Sequence, residues 1–437
     1  MINSNIKTEL LSRREKLSSQ MTTNSVALFF AAPEMTRSND TNYRYRQNSD
    51  FWYFTLFSEP EAVFIIVKQN DNSTRYVLFN RKRDRLAETW TGYRLGQQAA
   101  LDAIFVDEAY AFDEIATVLP DLLNGKTAIY HADQQYEYAD NIVDNAMETL
   151  RKGNKMNLFA PSCMIDWRPL VHEMRMFKSD FEVTILRQAC QISAKAHVRA
   201  MQKCQPAMFE YQLEAEILHE FAWHGARFPS YNTIVGGGNN GCILHYENNN
   251  KPLKAGDLVL IDAGCEYQYY AGDITRTFPV NGQFSQAQRE IYDIVLASQY
   301  QAIKLLKPGT SIMDVNHHVV RIMVEGLVKL GIMQGDIDTL IANKAYIEFY
   351  MHGLGHWLGI DVHDVGSNRA RILEPGMVLT VEPGLYINQD ADVPEQYKGI
   401  GIRIEDNILI TESGNEVLTS DVPKEPHEIE KLMGKNK

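Results

Sequence analysis

The chain has 437 residues, 45% of them hydrophobic and 10% aromatic, with 43 basic against 56 acidic residues and a formal charge of −13. This composition excludes a disordered chain, and the length exceeds what one hydrophobic core usually supports, so two domains are expected. The negative balance argues against nucleic acid or an anionic membrane surface as a partner.

The first twenty residues, MINSNIKTELLSRREKLSSQ, contain no apolar stretch resembling a signal-peptide core, and the longest apolar run, Val26 to Ala32, is far too short to span a bilayer. Ile6, Leu10, Leu11 and Leu17 recur at roughly helical spacing, and the runs VALFFAA and AVFIIV that follow read as buried strands. Helix and strand patterns then alternate, which predicts an α/β N-terminal domain. RKRDRLAE, residues 81–88, reads as a solvated face, and Trp90 in ETWTGYRLG as a tryptophan in a loop. The pattern breaks at DWRPLVHEMRMFKS, where Pro169 interrupts the chain, and a long helix is predicted from about Asp180 to Cys204. The boundary is placed there, giving domains 1–172 and 173–437. Helices are expected over about 210–224, 286–305 and 311–330, and strands at 258–262, 378–382 and 402–410. Cys163, Cys190, Cys204, Cys242 and Cys265 form no CxxC pair; reduced thiols in a cytoplasmic protein are the expectation, with no chemistry assigned to them.

KAGDLVLIDAG and EPGMVLTVEPG share a turn glycine, a short apolar strand, an acid and a closing glycine, with Asp262 and Glu382 at equivalent places. The echo fits a duplicated half-domain with a central site; a Gly-turn, strand and acid is also a common local pattern. In a strand, residues two apart share a face, so Leu258 and Leu260 lie with Asp262, and Arg403 lies with Glu405. A charged acid closing an apolar strand requires a cation. Asp262, Asp273, Glu382 and Glu405 all sit in or beside such strands, and two divalent cations would balance them. MHGLGHWLGIDVHDVG adds His352, His356 and His363 among Gly353, Gly355 and Gly359, which let the backbone approach a site closely. An oxygen-dominated site with one nitrogen ligand favours manganese, with cobalt or zinc able to substitute. Two metals about 3.5–4 Å apart activate a shared water and polarise a carbonyl, so hydrolysis is the reaction class.

The order Asp262, Asp273, His356, Glu382, Glu405, in the contexts IDAG, GDITRTF, HGLGH, VEPG and RIED, resembles that of the pita-bread metallopeptidases, and among them the aminopeptidase P (Xaa-Pro aminopeptidase) family. The likeness covers nearly the whole chain, RYRQNSDFWYFTLF resembling that family's N-terminal domain and DWRPLVHEMRMFKS its inter-domain segment; the loop VGSNRARILEPG departs from it by reading as tighter. The resemblance implies an RNase H-like α/β domain of the creatinase N-terminal type, then an α+β pita-bread catalytic domain with an internal pseudo-twofold repeat. It implies release of the N-terminal residue from peptides with proline second, through a hydroxide bridging two divalent ions. Asp273 and Glu405 would bridge both ions, Asp262 would complete one, and His356 with Glu382 the other. Glu382 would also handle the proton of the bridging water. His363 would bond the scissile carbonyl, His245 and His352 would orient the substrate and its amine, and Arg403 and Tyr386 would hold Glu405 and the site in place. Tyr231, Tyr386 and Trp90 fall on the substrate side, Trp90 reaching a neighbour's cleft in a homotetramer or homodimer.

Prolidase shares the ligands but cuts only dipeptides; HGLGHWLGIDVHD, with Trp357 after His356, looks more like aminopeptidase P. Methionine aminopeptidase usually lacks so large an N-terminal companion, and creatinase needs no metal. A pita-bread module that binds peptides without catalysis would have lost its ligands, and all five are present.

Overall fold

A computed structural model describes residues 2–366 and 368–434, so Ser367, within the loop VGSNRARILEPG, lies outside the described residues. The chain divides into two compact units, one ending at Met174 and the other starting at Arg175.

In the N-terminal unit helix α1 (Ile2–Gln20) precedes a six-stranded mixed sheet. Its strands are β1 (Ser25–Phe30), β2 (Val63–Lys68), β3 (Thr74–Asn80), β4 (Glu108–Ala111), β5 (Ala128–Tyr130) and β6 (Cys163–Ile165), in the order β4-β3-β2-β1-β5-β6. Every residue of β1 and β2 is buried, as continuous apolar runs covered on both faces require. Leu10 and Leu17 are buried on α1, as is Arg14, which donates to the carbonyls of Phe54, Ile104 and Phe105.

Two local expectations are corrected here. Trp90 belongs to the helix Arg85–Thr91, not to a loop; none of that helix is buried, and Trp90 is 84% exposed. Asp84 caps it through the N–H groups of Leu86 and Ala87. Pro169 does not break the chain; it sits in the first turn of the helix Arg168–Met176, where a missing N–H costs little.

The second unit opens with α2 (Asp180–Lys203), whose N-terminus carries a capping box between Ser179 and Glu182, and α3 (Glu210–Trp223). A three-stranded antiparallel sheet follows, β7 (Ile234–Gly237), β8 (Leu258–Asp262) and β9 (Thr275–Pro279), with β8 central. Then come α4 (Gln286–Leu305) and α5 (Ile312–Lys329). The chain returns to β10 (Val378–Val381), β11 (Gly384–Ile387), β12 (Ile400–Arg403), β13 (Asp406–Ile410) and β14 (Asn415–Val417). β10 pairs β13, which pairs β14, while β11 pairs β12, all antiparallel. The helices and the inner faces of these strands share one core that includes Ile192, Phe221, Ile261, Tyr292, Met323, Leu379 and Ile408.

The strand expected over 402–410 is broken: β12 ends at Arg403 and β13 starts at Asp406, so Glu405 sits in the break and not on a strand face shared with Arg403. Glu382 likewise stands just past the end of β10.

Candidate active site

The two halves of the second unit deliver their acids in the same way. β8 and β10 are each entered through a glycine in the left-handed region, Gly256 at φ +91° and Gly376 at φ +89°. Each strand pairs antiparallel with a later one, Asp262 facing Thr275 and Val381 facing Asp406. Asp262 thus ends beside the segment carrying Asp273, and Glu382 beside the break carrying Glu405. Two further glycines permit close approach. A Cβ at Gly264 would lie 1.7 Å from the Gly272 carbonyl oxygen, and one at Gly355 would lie 2.0 Å from that of Thr380. No side chain fits at either place, so IDAG and HGLGH press directly on the neighbouring backbone.

The acids then share a small set of donors. The Tyr231 hydroxyl is 2.5 Å from Asp262 Oδ1 and 2.5 Å from Asp273 Oδ1. Arg403 Nη2 donates to Asp262 Oδ2 at 2.5 Å, and its Nε to Thr275 Oγ1 at 3.1 Å. Thr275 in turn donates to Glu405 Oε2 at 2.6 Å. On the other side, Thr380 Oγ1 accepts from the His356 N–H at 3.0 Å and donates to Glu382 Oε1 at 3.2 Å.

His356 Nδ1 lies 3.0 Å from the Trp357 carbonyl and donates to it, which aims Nε2 at Asp273 Oδ2, 3.3 Å away, and Glu382 Oε1, 3.6 Å away. Asp273, His356 and Glu405 each offer a ligand atom within 4.8 Å of the others'. His352 is engaged at both ring nitrogens, Nδ1 with the Gly353 carbonyl at 2.8 Å and Nε2 with the Tyr386 hydroxyl at 2.8 Å, which also accepts from Arg403 Nη1 at 2.8 Å. His363 packs edge-on against His356 with ring centroids 4.4 Å apart. A cleft of about 300 Å³ opens over the acids, lined by Tyr231, His245, His352, His356, His363 and Arg403. It adjoins a second hollow of about 410 Å³ that adds Trp357, Gly366 and Arg369.

Burial and mutual repulsion work against four carboxylates here. Burial, reinforced by the charges of Asp273, Glu382 and Asp262, holds Glu405 well above the usual carboxylate range. Burial also raises Asp273 and lifts Glu382 to about 7, in the latter case against the pull of His356 and Arg403. Burial opposes a charge on His356, yet the hydrogen bond to Asp273 and the field of Glu382 outweigh it and raise the imidazole to about 9. His352 is driven the other way, to about 4, by burial and then by Arg403.

This donor set fits divalent cations. A phenol has one proton, so Tyr231 can satisfy one of the two carboxylate oxygens it touches and not both. His356 Nε2, aimed at two carboxylate oxygens, calls for positive charge at that point, which a proton supplies without metal and a cation can supply in its place. Cations at that point resolve both contacts and the crowding of the acids.

The structure brings Asp262, Asp273, His356, Glu382 and Glu405 together, with His245, His363 and Arg403 on the cleft wall. Two expectations need correction. Tyr386 is fully buried behind His352 and does not face substrate. Arg403 grips Asp262 directly and reaches Glu405 only through Thr275. His352 lines the cleft, with both ring nitrogens engaged inside the protein. The sequence reading passed over Thr275, Thr380 and Arg369. A hydroxyl two positions from each of Asp273 and Glu382 was the available signal for the threonines; nothing local marked Arg369.

Fold and site together define a metallohydrolase built from two equivalent half-domains with a carboxylate-rich centre. The chain belongs to metallopeptidase family M24, whose model matches residues 184–412, and residues 11–130 match the aminopeptidase P N-terminal domain. It is 64% identical to the Xaa-Pro aminopeptidase of Escherichia coli (strain K12), over 97% of each chain. It is 54% identical to that of Haemophilus influenzae over 98% of this chain and 97% of the relative, and 32% identical to human Xaa-Pro aminopeptidase 3 over 96% and 84%. Among solved structures, zinc-substituted E. coli aminopeptidase P in complex with product superposes with a TM-score of 0.97, covering 98% of both chains at 64% identity. A glutamate-to-alanine variant of the same enzyme in complex with substrate gives the same score and coverage.

Proposed function

We propose that this chain is an Xaa-Pro aminopeptidase, removing the first residue of peptides whose second residue is proline. The observation that carries this reading is the convergence of five donor side chains from both half-domains beneath one cleft, in a chain 64% identical over 97% of its length to an Xaa-Pro aminopeptidase. Asp262, Asp273, His356, Glu382 and Glu405 would hold two divalent ions. Carboxylate-dominated ligation favours manganese, with cobalt or zinc as substitutes. When bound, such a pair supplies an activated water and polarises the scissile carbonyl.

The protein's own groups do the rest. Glu382, which lines the cleft, would take and return a proton of the attacking water. His363, on the cleft wall, donates to the oxygen that gains charge during attack. His245, also on the cleft wall, would orient the peptide, and Tyr231 and Arg403 hold the acids. An amide nitrogen contributed by proline carries no N–H, so a cleft that requires no donor there accepts it.

The prolidase reading is disfavoured, since the relatives at 64% and 54% identity are Xaa-Pro aminopeptidases. No helix among the described residues is long and apolar enough to cross a membrane, and all five cysteines are free thiols, which supports a cytoplasmic enzyme. We further place it as a homotetramer or homodimer, with Trp90 contributing to a neighbour's cleft. The test is cleavage of X-Pro-Y, X-Ala-Y and X-Pro peptides with added manganese. Selective release of X from X-Pro-Y is expected; equal cleavage of X-Ala-Y, or cleavage of X-Pro alone, would overturn the reading.

A further inference from the structure

Asn407 lies in β13, two positions beyond Glu405, and is fully buried. Its side-chain amide meets the main chain of Asp273 at both polar groups. The Asp273 N–H donates to Oδ1 at 3.0 Å, and Nδ2 donates to the Asp273 carbonyl. Asp273 belongs to no helix or strand, so its buried N–H and C=O have no ladder to join. One side chain 134 positions later takes the place of that ladder.

The orientation of the amide is fixed from behind. The Cys190 thiol, buried on α2, donates to the same Oδ1 at 3.2 Å. An amide end that receives both an S–H and a main-chain N–H must be its oxygen, which leaves Nδ2 for the carbonyl. Asn407 is equally fixed along its own strand. Its N–H donates to Thr419 Oγ1 at 3.1 Å, and its ladder partner on β10 is Thr380, whose hydroxyl holds His356 and Glu382. A single residue therefore ties the acid of one half-domain to the strand pair that carries the acids of the other.

We propose that Asn407, seated by Cys190, is a positioning residue that sets Asp273 against Glu405 and so governs how tightly the acid cluster holds its metal ions. This rests on the two-ion reading above. The tie acts through the backbone of Asp273 and leaves its carboxylate free for Tyr231, His356 and a cation. It also gives Cys190 a role that sequence reading did not assign.

The experiment is a titration of metal-free protein with cobalt alone, followed by visible absorption, alongside thermal unfolding of the metal-free forms and steady-state kinetics. For Asn407→Ala the cobalt dissociation constant should rise about 10–100-fold, as for other groups that orient a metal ligand; kcat should fall while KM stays near the wild-type value. Asn407→Asp keeps the acceptor for the Asp273 N–H but loses the donor to its carbonyl, so its affinity should also fall below wild type; should the alanine variant not fold, wild-type cobalt affinity in Asn407→Asp would overturn the proposal. Cys190→Ala should shift affinity in the same direction by less than tenfold. Two cobalt ions bound at wild-type affinity by Asn407→Ala would overturn the proposal, as would variants that lower the metal-free melting temperature without changing cobalt affinity. A wild-type chain that takes up no cobalt would overturn the two-ion reading itself, and the proposal with it.

Discussion

Thr275 and Glu405 stand 130 positions apart, and the Thr275 hydroxyl donates to Glu405 Oε2 at 2.6 Å while accepting from Arg403 Nε at 3.1 Å. One hydroxyl thus passes the grip of a guanidinium to an acid that the guanidinium does not touch. Thr275→Val keeps the shape and removes the donor, leaving a buried carboxylate oxygen short of a partner. Metal affinity is expected to fall about 10–100-fold, with Thr275→Ser close to wild type. Cobalt titration of both variants checks this, and equal affinities in the two would count against the relay.

The five proposed metal ligands and His363 should respond differently to substitution. Asp273→Ala and Glu405→Ala should each abolish peptide cleavage and lower the metal content measured by elemental analysis. His356→Ala should lose metal as well, since its Nε2 faces Asp273 and Glu382. His363→Ala should keep its metal and lose turnover by roughly 10²–10³-fold, the usual effect of deleting one donor to a developing oxyanion. Equal metal loss in the two histidine variants would mean that their roles are wrongly divided.

Chelation should expose the cost of the acid cluster as a pH dependence. Without metal, Glu382 is raised to about 7 and His356 to about 9, both above their unfolded values of roughly 4.3 and 6.5. A group raised on folding contributes its stability in full below the unfolded value and loses it as pH rises through the folded one. The chelated protein is therefore expected to lose several degrees of melting temperature between about pH 6 and pH 9, and saturating manganese should flatten that slope. Asp406 runs the other way. Burial opposes its charge, but Arg276 and Lys424 outweigh burial and hold it at about 2, so its contribution is lost only as pH falls below about 4. Scanning calorimetry with chelator across this range checks both limbs; a chelated profile that is flat from pH 6 to 9 would contradict the first.

Trp90 tests assembly. At 84% exposure, on a helix with no buried residue, it has no core of its own to fill. Trp90→Ala should weaken turnover of longer peptides with the metals still bound, and wild-type activity should fall on dilution through the dissociation range. Light scattering that finds a fully active monomer would end the multimer proposal; a multimer indifferent to Trp90→Ala would remove only the contact between subunits.

Much of this protein follows from residue order. The apolar runs of β1 and β2, the long capped helices and the glycine-entered strands β8 and β10 were legible because burial and turn geometry act over a few neighbouring residues. The five acidic and imidazole side chains were legible because a charge at the end of an apolar strand has few uses without a counter-ion. Residue order did not give the break at Ile404 and Glu405, the two engaged nitrogens of His352, the seclusion of Tyr386, or the bonds of Thr275 and Asn407 to groups more than a hundred positions away. Each of these depends on which buried donor finds which acceptor once both half-domains have closed around one centre. Local periodicity carries no record of that pairing, because it reports which face a side chain occupies and not what it meets there.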